Sequence, residues 1–276
     1  VYDVNAIAGR YGRLERMVAP KLAPFHSSKE MGEFTHYGDQ ALVLLESIAE
    51  QSGFKPDAFK EKWLALFENY TGYLDSATKE TLKNLKTDPG MHPEGSMSSD
   101  LGGAARISPL ALVFSEDING FCQAAQTQTA MTHNQEAVVQ SARFFAMTAM
   151  QVFAGSRPVE AMAQVLAEYE FLPAVDSLIR AGLESAQKES KAVISQFGMA
   201  CSVDGALPSA VHLIARYETD PKTALVENIM AGGDSSARGM MAGFILGSYN
   251  GLESIPETWF SDMKAFSLIE RCLSQF

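Results

Sequence analysis

Cysteine is scarce in this sequence, and the cysteines present are not paired. The 276 residues include three, Cys122, Cys201 and Cys272, and none forms a Cys-x-x-Cys pair or a Cys/His knuckle. An odd number of widely spaced cysteines argues against a disulfide framework and against a zinc ribbon. Free thiols are typical of a reducing compartment, so we expect a cytoplasmic protein.

Basic residues and long apolar runs are also in short supply. The sequence has 22 Lys and Arg residues against 33 Asp and Glu residues, which gives a formal net charge of −11. A protein that binds the nucleic-acid backbone carries a basic face, so we expect no nucleic-acid partner. No uncharged run of 18 apolar residues occurs, and we therefore expect no membrane span and no membrane partner.

The beginning of the chain lacks the usual marks of a translation start. Val1-Tyr2-Asp3 contains no Met and is not followed by a signal sequence, so we expect the chain to begin inside a longer gene product. Hydrophobic residues at 46% and charged residues at 20% are ordinary globular values, which exclude a disordered or fibrous chain. We expect one domain over residues 1–276.

Strand-like alternation is nearly absent, whereas helical periodicity is found along most of the chain. Residues 41–48 are nearly all apolar, and an apolar stripe at helical spacing follows over residues 59–70. Further helices are predicted over 136–154, 158–168, 173–182, 206–217 and 222–230. Prolines that stand at predicted helix starts are Pro56, Pro158, Pro173, Pro208 and Pro221. The pattern predicts an all-α fold, a compact single domain of many helices.

One long irregular stretch, from Asp88 to Gly103, interrupts the helices. It contains Pro89, Gly90, Pro93 and several serines, and it ends in Gly102-Gly103. A loop of this length inside a compact domain is usually functional or disordered. Asp100 is therefore a candidate ligand-binding carboxylate.

The sequence Gly232-Gly233-Asp234-Ser235-Ser236 precedes a helix with glycines at every fourth position from Gly239 to Gly251. The glycine pair predicts a tight turn with a close approach by another group, and Asp234 predicts an N-cap. The simple interpretation is a capped helix start. The functional interpretation is a ligand site at the positive end of the helix dipole. The glycine series predicts close packing against another helix.

Two histidines lie beside predicted helix starts. His36 precedes the apolar helix in Gly32 to Leu42, and His133 follows Thr132, shortly before Glu136. Both positions are compatible with ordinary capping segments. Each histidine is also a candidate base or ligand, because the pKa of histidine lies near neutrality.

Taken in order, four stretches resemble motifs of the ADP-ribosylglycohydrolase family. They are Gly32 to Leu42, Gly102 to Leu110, Thr132-His133 and Gly232 to Gly251. The variants His-Tyr-Gly-Asp-Gln and Gly-Gly-Asp-Ser-Ser-Ala-Arg are most similar to the branch that contains jellyfish J1 crystallins and fish selenoprotein J. The helix with which the family usually opens is not recognisable, which fits a trimmed N-terminus.

The resemblance implies an all-α fold with a dinuclear Mg²⁺ site in a central cleft. It also implies hydrolysis of the glycosidic bond between ADP-ribose and an acceptor. The family's early ligands, Thr-Asp-Asp, and its late ligands, Asp, Asp and Thr, can be aligned here without gaps. The six aligned positions are Thr35, His36, Tyr37, Asp234, Ser236 and Ala237. Only Thr35 and Asp234 match by type.

Charge then argues against the usual metal pair. Two Mg²⁺ ions bring +4, whereas Asp234 and an inward-turned Asp39 would supply −2 and Arg238 would add +1. Mg²⁺ is commonly held by carboxylates and dehydrates reluctantly. We therefore expect at most one weakly held Mg²⁺, or none, with Thr35 and Asp234 as its ligands. Arg238 is expected to pair with a carboxylate or to contact a phosphate.

The resemblance yields a set of candidate site residues. The candidate catalytic residues are Asp39, His36 and Asp234, with Asp39 or His36 as base. The candidate ligand-binding residues are Asp100, Gly102, Gly103, His133, Ser235, Ser236 and Arg238.

Three interpretations of function stay open. The first is a hydrolase of ADP-ribosyl groups with altered chemistry. The second is a pseudoenzyme that binds ADP-ribose, and the third is a structural, crystallin-like protein. The implied partner is ADP-ribose or an ADP-ribosylated protein or small molecule, and we expect a monomer or a weak homodimer.

Overall fold

The computed structural model describes residues 2–22, 24–88, 90 and 93–276. The helices, in chain order, are α1 (Val4–Tyr11), α2 (His36–Gln51), α3 (Pro56–Glu68), α4 (Ser76–Thr87), α5 (Gly102–Ala105), α6 (Ala111–Phe114), α7 (Ile118–Ala130), α8 (Glu136–Phe153), α9 (Pro158–Glu168), α10 (Pro173–Glu184), α11 (Ser190–Phe197), α12 (Val203–Arg216), α13 (Pro221–Met230), α14 (Ser235–Asn250), α15 (Glu257–Ser261) and α16 (Phe266–Leu273). Short 3₁₀ turns occur at Pro24–His26, Ser108–Leu110 and Leu252–Ser254. The predicted all-α fold is confirmed.

Helix starts follow the capping rules in most places. Asp75, Asp117, Asp220 and Asp234 each accept a hydrogen bond from a backbone N–H in the first turn of their helix, which satisfies a donor that the helix itself leaves free. Prolines begin α3, α9, α10 and α13, as predicted. The end of α8 is also where the sequence predicts it, because Gly155, just beyond the helix, has a φ of +101°.

The prediction that Pro208 begins a helix is wrong. The helix starts earlier, at Val203, after Ser202 in an extended conformation, and Pro208 lies in its interior. Proline lacks the N–H that would bond to the carbonyl one turn earlier, so this position omits one helical hydrogen bond. Side chains on both sides of Pro208 are fully buried, and tertiary packing therefore outweighs the local cost.

The apolar side chains form one buried cluster that extends from α2 to α14. Its centre is α8, which contacts α5, α7, α9 and α14. Phe144 and Phe145 of α8 have no exposed surface. Burying a large apolar side chain of this kind stabilises a fold by about 1.5–3 kcal/mol. The core therefore supports α14, at whose first turn the candidate site lies.

The glycine series of α14 gives close packing at only one of its predicted positions. A Cβ on Gly239 would lie 2.8 Å from the side chain of Asn228 on α13, whereas a Cβ on Gly243 would make an ordinary contact. Gly247 faces open space, and Gly251 ends the helix with a φ of +79°. The prediction of close packing along the whole series is wrong, because a Cβ on Gly247 would meet no neighbouring atom within 4 Å.

The irregular stretch is confirmed for the residues that the structure describes, but Pro89 lies outside them. Glu94 to Leu101 contains no helix, and α5 begins at Gly102. Within the described residues, β-type pairing is limited to isolated bridges, which join Tyr2 to Gly233, Ser96 to His133 and Asp100 to Ser202. Among the same residues, none of the helices combines the length and apolarity that crossing a bilayer requires.

Candidate functional site

The hydroxyl oxygen of Tyr37 lies between two carboxylates. It is 2.8 Å from Oδ2 of Asp100 and 2.9 Å from Oδ2 of Asp234. Tyr37 and Asp100 are buried, and Asp234 is half-buried. Three distant segments of the chain thus bring their polar atoms together at one point.

Local backbone structure orients both carboxylates. Oδ1 of Asp100 accepts from the N–H of Gly102 at 2.7 Å, at the start of α5. Oδ1 of Asp234 accepts from the N–H of Ser236 at 3.3 Å, in the first turn of α14. Each carboxylate therefore uses one oxygen for a helix start and the other for Tyr37.

Strand-like backbone bonds join the loops that carry these residues. The N–H of Leu101 donates to the carbonyl of Cys201 at 2.9 Å, and the N–H of Asp234 donates to the carbonyl of Met199 at 2.8 Å. The segment 199–201 therefore lies between the two carboxylates. A carboxylate oxygen of Asp100, a carboxylate oxygen of Asp234 and the thiol sulfur of Cys201 lie within 4.8 Å of one another.

Two glycines allow the chain to turn sharply just before Asp234 and to approach Met199 closely. Gly232 and Gly233 have φ values of +66° and +68°, which glycine adopts without strain. A Cβ on Gly233 would lie 2.3 Å from the carbonyl oxygen of Met199. The prediction of a tight turn with a close approach is confirmed, and so is the N-cap at Asp234.

The electrostatics of this group favour bound protons. Burial, together with the nearby Asp234, raises the pKa of Asp100 to about 6, although the N–H of Gly102 and the hydroxyl of Tyr37 oppose the shift. Burial and both carboxylates raise the pKa of Tyr37 and of Cys201 well above their ordinary values. A carboxyl group with a pKa near neutrality can exchange protons under working conditions.

Aromatic rings stand beside the carboxylates. The ring of His36 lies 4.1 Å from that of Tyr37 and 5.3 Å from that of Tyr73. Phe25, which is exposed, lies 4.9 Å from Tyr73, which is half-buried. These rings offer apolar faces next to the polar group, an arrangement suited to a ligand with both a ring and hydroxyl groups.

His36 itself is held by a different acid. Its Nε2 is 3.2 Å from Oδ2 of Asp75, within ion-pair distance but not aligned for a hydrogen bond. Burial raises the pKa of Asp75, but His36 and the N–H of Thr78 together outweigh it, so the pKa lies below its ordinary value. No pattern in the sequence singles out Asp75 as a partner of His36.

Asp39 and Thr35 flank Tyr37 in the chain at the start of α2. Oδ2 of Asp39 accepts from Lys29 and from the hydroxyl of Tyr70, both at 2.6 Å. Thr35 is the N-cap residue of α2, and its side chain makes no capping bond. The structure thus brings Asp100 and Asp234 together but gives Asp39 other partners.

His133 and the Gly102-Gly103 pair form the wall behind Asp100. A Cβ on Gly103 would lie 2.6 Å from the side chain of His133, and one on Gly102 would lie 2.1 Å from the ring of Tyr37. His133 is buried, and its Nδ1 lies 2.9 Å from the hydroxyl of Thr132. Burial and the nearby Arg106 lower its pKa to about 3. The imidazole is therefore neutral at physiological pH.

Arg238 is directed away from the carboxylates. It is fully buried, and its guanidinium donates to the side-chain oxygen of Asn228 at 3.0 Å and to the carbonyl of Gly232 at 2.6 Å. The expected pairing with Asp234 or Asp39 does not occur, because α13 and the glycine turn supply closer acceptors. Ser235 and Ser236 are half-buried beside Asp234, and the carbonyl of Ser235 accepts from Asn228 at 2.8 Å.

Comparison with known proteins gives matches over nearly the whole chain. The family described as ADP-ribosylglycohydrolase matches residues 3–275. An uncharacterised protein of Archaeoglobus fulgidus is 26% identical over 87% of this chain and 78% of its own length. Crystallin J1A of Tripedalia cystophora is 23% identical over 83% of this chain and 74% of its own length.

Two further matches concern an enzyme and a solved structure. ADP-ribosylhydrolase ARH3 of Bos taurus is 32% identical over 28% of this chain and 24% of its own length. A solved structure titled ADP-ribosylglycohydrolase-related protein complex superposes with a TM-score of 0.78 at 22% identity. The match covers 97% of this chain and 87% of the chain in the solved structure, which supports the fold.

Proposed function

Because the chain belongs to the ADP-ribosylglycohydrolase family, we propose that it hydrolyses the glycosidic bond between ADP-ribose and a protein side chain or small molecule. The observation that carries the proposal is the convergence of Tyr37, Asp100 and Asp234, at 2.8 and 2.9 Å, beside a set of aromatic rings. Two carboxylates in different surroundings can take different roles, and a general base is one of these roles.

The more exposed carboxylate has the role of base in this proposal. Asp234 takes a proton from the water that attacks the anomeric carbon. The carbon–oxygen bond to water forms as the bond to the acceptor breaks, and the acceptor takes a proton from solvent. Tyr37 and Asp100 position Asp234, and Asp100, with a pKa of about 6, exchanges protons through the Tyr37 hydroxyl. Asp39 and His36 have their own partners, so this proposal gives them no proton-transfer step.

The neighbouring groups suit the remaining parts of ADP-ribose. Phe25 and Tyr73 offer ring faces for stacking of a base. The N-terminus of α14, with Ser235 and Ser236, favours a phosphate through its N–H groups and its dipole. Gly102, Gly103 and His133 complete the wall of the proposed cleft.

The donor set does not fit two Mg²⁺ ions. Mg²⁺ prefers hard oxygen ligands in near-octahedral arrangement, but the three converging ligands are two carboxylates and a thiol. Two carboxylates bring −2 against +4 from two ions. We therefore propose at most one weak Mg²⁺ site, with Asp234 and Thr35 as its ligands.

The test is release of ADP-ribose from ADP-ribosylated Arg and Ser peptides. Asp234→Asn should lower the rate at least about 100-fold, the usual scale for removal of a general base. Asp220→Asn is the matched control, since Asp220 also caps a helix, through the N–H of Thr223 at 3.0 Å, and Asn is an equally good cap. Equal rates in Asp234→Asn and the wild type would contradict the proposal.

Titration with ADP-ribose separates the other two interpretations. Heat of binding without any release would identify a binding protein that has lost turnover. The absence of both binding heat and ADP-ribose release would favour a structural role. The name of the relative crystallin J1A indicates such a role for that protein.

A further inference from the structure

We infer that Arg238 is a positioning residue for the proposed hydrolysis, and that it fixes the glycine turn from which Asp234 projects. This role rests on the proposed function, in which Asp234 is the base. Arg238 follows Asp234 by four positions, near the start of α14. Its guanidinium is bonded to Asn228 and Gly232 and not to the Asp234 carboxylate. Arg238 therefore acts on the reaction through the backbone that carries the base.

The guanidinium of Arg238 is buried among neutral acceptors. The residue has no exposed surface, and its Nε donates to the side-chain oxygen of Asn228 at 3.0 Å. Burial lowers the pKa of Arg238 to about 10, although Asp234 opposes the shift, so the side chain keeps its charge at neutral pH. Apolar residues of similar volume often stabilise an interior as well as buried charges do. Stability alone therefore does not account for an arginine at this position.

The glycine turn needs an outside contact, because its own residues leave the backbone free to move. Gly232 and Gly233 have φ values of +66° and +68°. Glycine adopts such values without strain, but it adopts negative values about as readily. The two glycines therefore do not by themselves fix the direction in which Asp234 points. A hydrogen bond from Nη2 of Arg238 to the carbonyl of Gly232, at 2.6 Å, removes part of this freedom.

Arg238 and Asn228 together hold the backbone on both sides of Asp234. Arg238 binds the carbonyl of Gly232, two positions before Asp234. The side-chain nitrogen of Asn228 donates to the carbonyl of Ser235, one position after Asp234, at 2.8 Å. The two side chains are joined to each other by the bond from Nε of Arg238 to the side-chain oxygen of Asn228. The planar fork of the guanidinium allows one residue to make both contacts.

Backbone contacts hold the middle of the same turn. Gly233 exchanges two hydrogen bonds with Tyr2, at 2.8 and 3.0 Å, and the N–H of Asp234 donates to the carbonyl of Met199 at 2.8 Å. Neither contact reaches the carbonyl of Gly232, for which Arg238 supplies the donor. Misplacement of a catalytic group by about 1 Å can cost about 100-fold in rate. Loss of the Arg238 contact should therefore reduce turnover.

The experiment measures kcat and KM for release of ADP-ribose from an ADP-ribosylated peptide. Arg238→Met removes the guanidinium but retains an apolar stem, and it should lower kcat about 10–100-fold with KM unchanged. Arg238→Lys keeps the charge but not the fork, so it should show the same loss. Arg157→Met is the matched control, because Arg157 also joins two segments, through Glu218 at 2.9 Å, but at the start of α9. It should leave both kinetic parameters unchanged.

Amide hydrogen exchange tests the same role without turnover. In both Arg238 variants, the amide of Asp234 should exchange at least about 10-fold faster than in the wild type, while the amides of α8 stay protected. Circular dichroism identifies the folded variants. Arg238→Lys, which retains the buried charge, decides the question if Arg238→Met does not fold.

The positioning role is overturned if the folded Arg238 variants keep the kcat of the wild type, if only KM changes, or if Arg238→Lys restores kcat. It is also overturned if Arg157→Met lowers kcat equally, or if exchange at Asp234 rises no more than exchange in α8. A wild type that releases no ADP-ribose contradicts the proposed function, and exchange at Asp234 alone then decides whether Arg238 fixes the turn.

Discussion

Asp100 and Asp234 share one hydroxyl group, that of Tyr37, at distances of 2.8 and 2.9 Å. The two acids differ in their surroundings, since Asp100 is buried and Asp234 is half-buried. A shared hydrogen-bond donor links the protonation of one acid to that of the other.

Replacement of Tyr37 by Phe should raise the pKa of Asp100 further above 6. The hydroxyl of Tyr37 is one of the groups that lower this pKa, while burial and Asp234, which raise it, remain. The measurement is a carboxyl carbon NMR titration. Tyr70→Phe is the control, because it removes a similar hydroxyl from Asp39 at 2.6 Å. An Asp100 pKa unchanged by Tyr37→Phe would count against the shared hydroxyl.

Asp100→Asn should make the free energy of unfolding less dependent on pH between about 4 and 6. The folded-state pKa of Asp100 is raised from 3.8 to about 6, so the protonated form is the one that folding favours. Its stabilising effect is complete below pH 3.8 and is lost as the pH rises through 6. This stabilising effect amounts to roughly 3 kcal/mol, the free-energy equivalent of the difference between the two pKa values.

The measurement is the free energy of unfolding in urea at several pH values. The difference between Asp100→Asn and the wild type should grow in favour of the variant as the pH rises to 6, because Asn resembles the protonated acid. The buried histidines also make unfolding depend on pH, for example His26, whose pKa is lowered to about 4. Their contribution is the same in both proteins and cancels in the difference. A difference that does not vary with pH would refute this account.

Gly247→Ala should stabilise the protein by up to about 1 kcal/mol, the difference between glycine and alanine in a helix interior. Gly247 lies in α14, and a Cβ there would meet no atom within 4 Å. Gly205→Ala in α12 should instead destabilise it, because the Cβ would lie 2.5 Å from the carbonyl oxygen of Gly198. Thermal unfolding of both variants tests the prediction, and equal melting temperatures would contradict it.

Ser190→Ala should destabilise the fold by about 1–3 kcal/mol, the cost of leaving a buried polar atom without a partner. The hydroxyl of Ser185 donates to the carbonyl of Gly182 at 2.7 Å, so it accepts from Nδ1 of His212 at 2.8 Å. Nε2 of His212 is then the acceptor, and Ser190, at 2.9 Å, is its donor.

Ser209→Ala provides the contrast, because the buried hydroxyl oxygen of Ser209 has no hydrogen-bond partner. Its removal should leave the free energy of unfolding unchanged or raise it. Both values can be read from denaturant titrations at neutral pH. A larger loss in Ser209→Ala than in Ser190→Ala would show that the assigned histidine tautomer is incorrect.

Much of the helical framework follows from the sequence. Residues 136–154 were predicted as a helix from apolar spacing and a final glycine, and α8 spans Glu136–Phe153. By contrast, α4 was not predicted, because it is lysine-rich and only its first part is buried. Periodicity identifies helices that bury an apolar stripe, whereas two of the three residues that Ser76–Thr87 buries are threonines, Thr78 and Thr81.

The site could be predicted only in part. Asp234 and Asp100 were identified from a glycine-rich cap and a long loop, but their partners Tyr37 and Cys201 were not. Tyr37 reaches Asp234 across 197 positions of the chain, and no local pattern encodes such a contact. The sequence signal for Tyr37 was its alignment with the Thr-Asp-Asp motif of the family that the sequence resembles. In that motif, an acid expected to bind metal stands at the position of Tyr37.

The isolated β-bridges that join the loops around Asp100 and Asp234 are formed by backbone atoms. Backbone pairing of this kind does not depend on the identity of the side chains, except at Gly233, where φ is +68° and a Cβ would lie 2.3 Å from the carbonyl oxygen of Met199. A chain with this frame can lose one catalytic chemistry and acquire another through a few substitutions, while the frame itself stays intact.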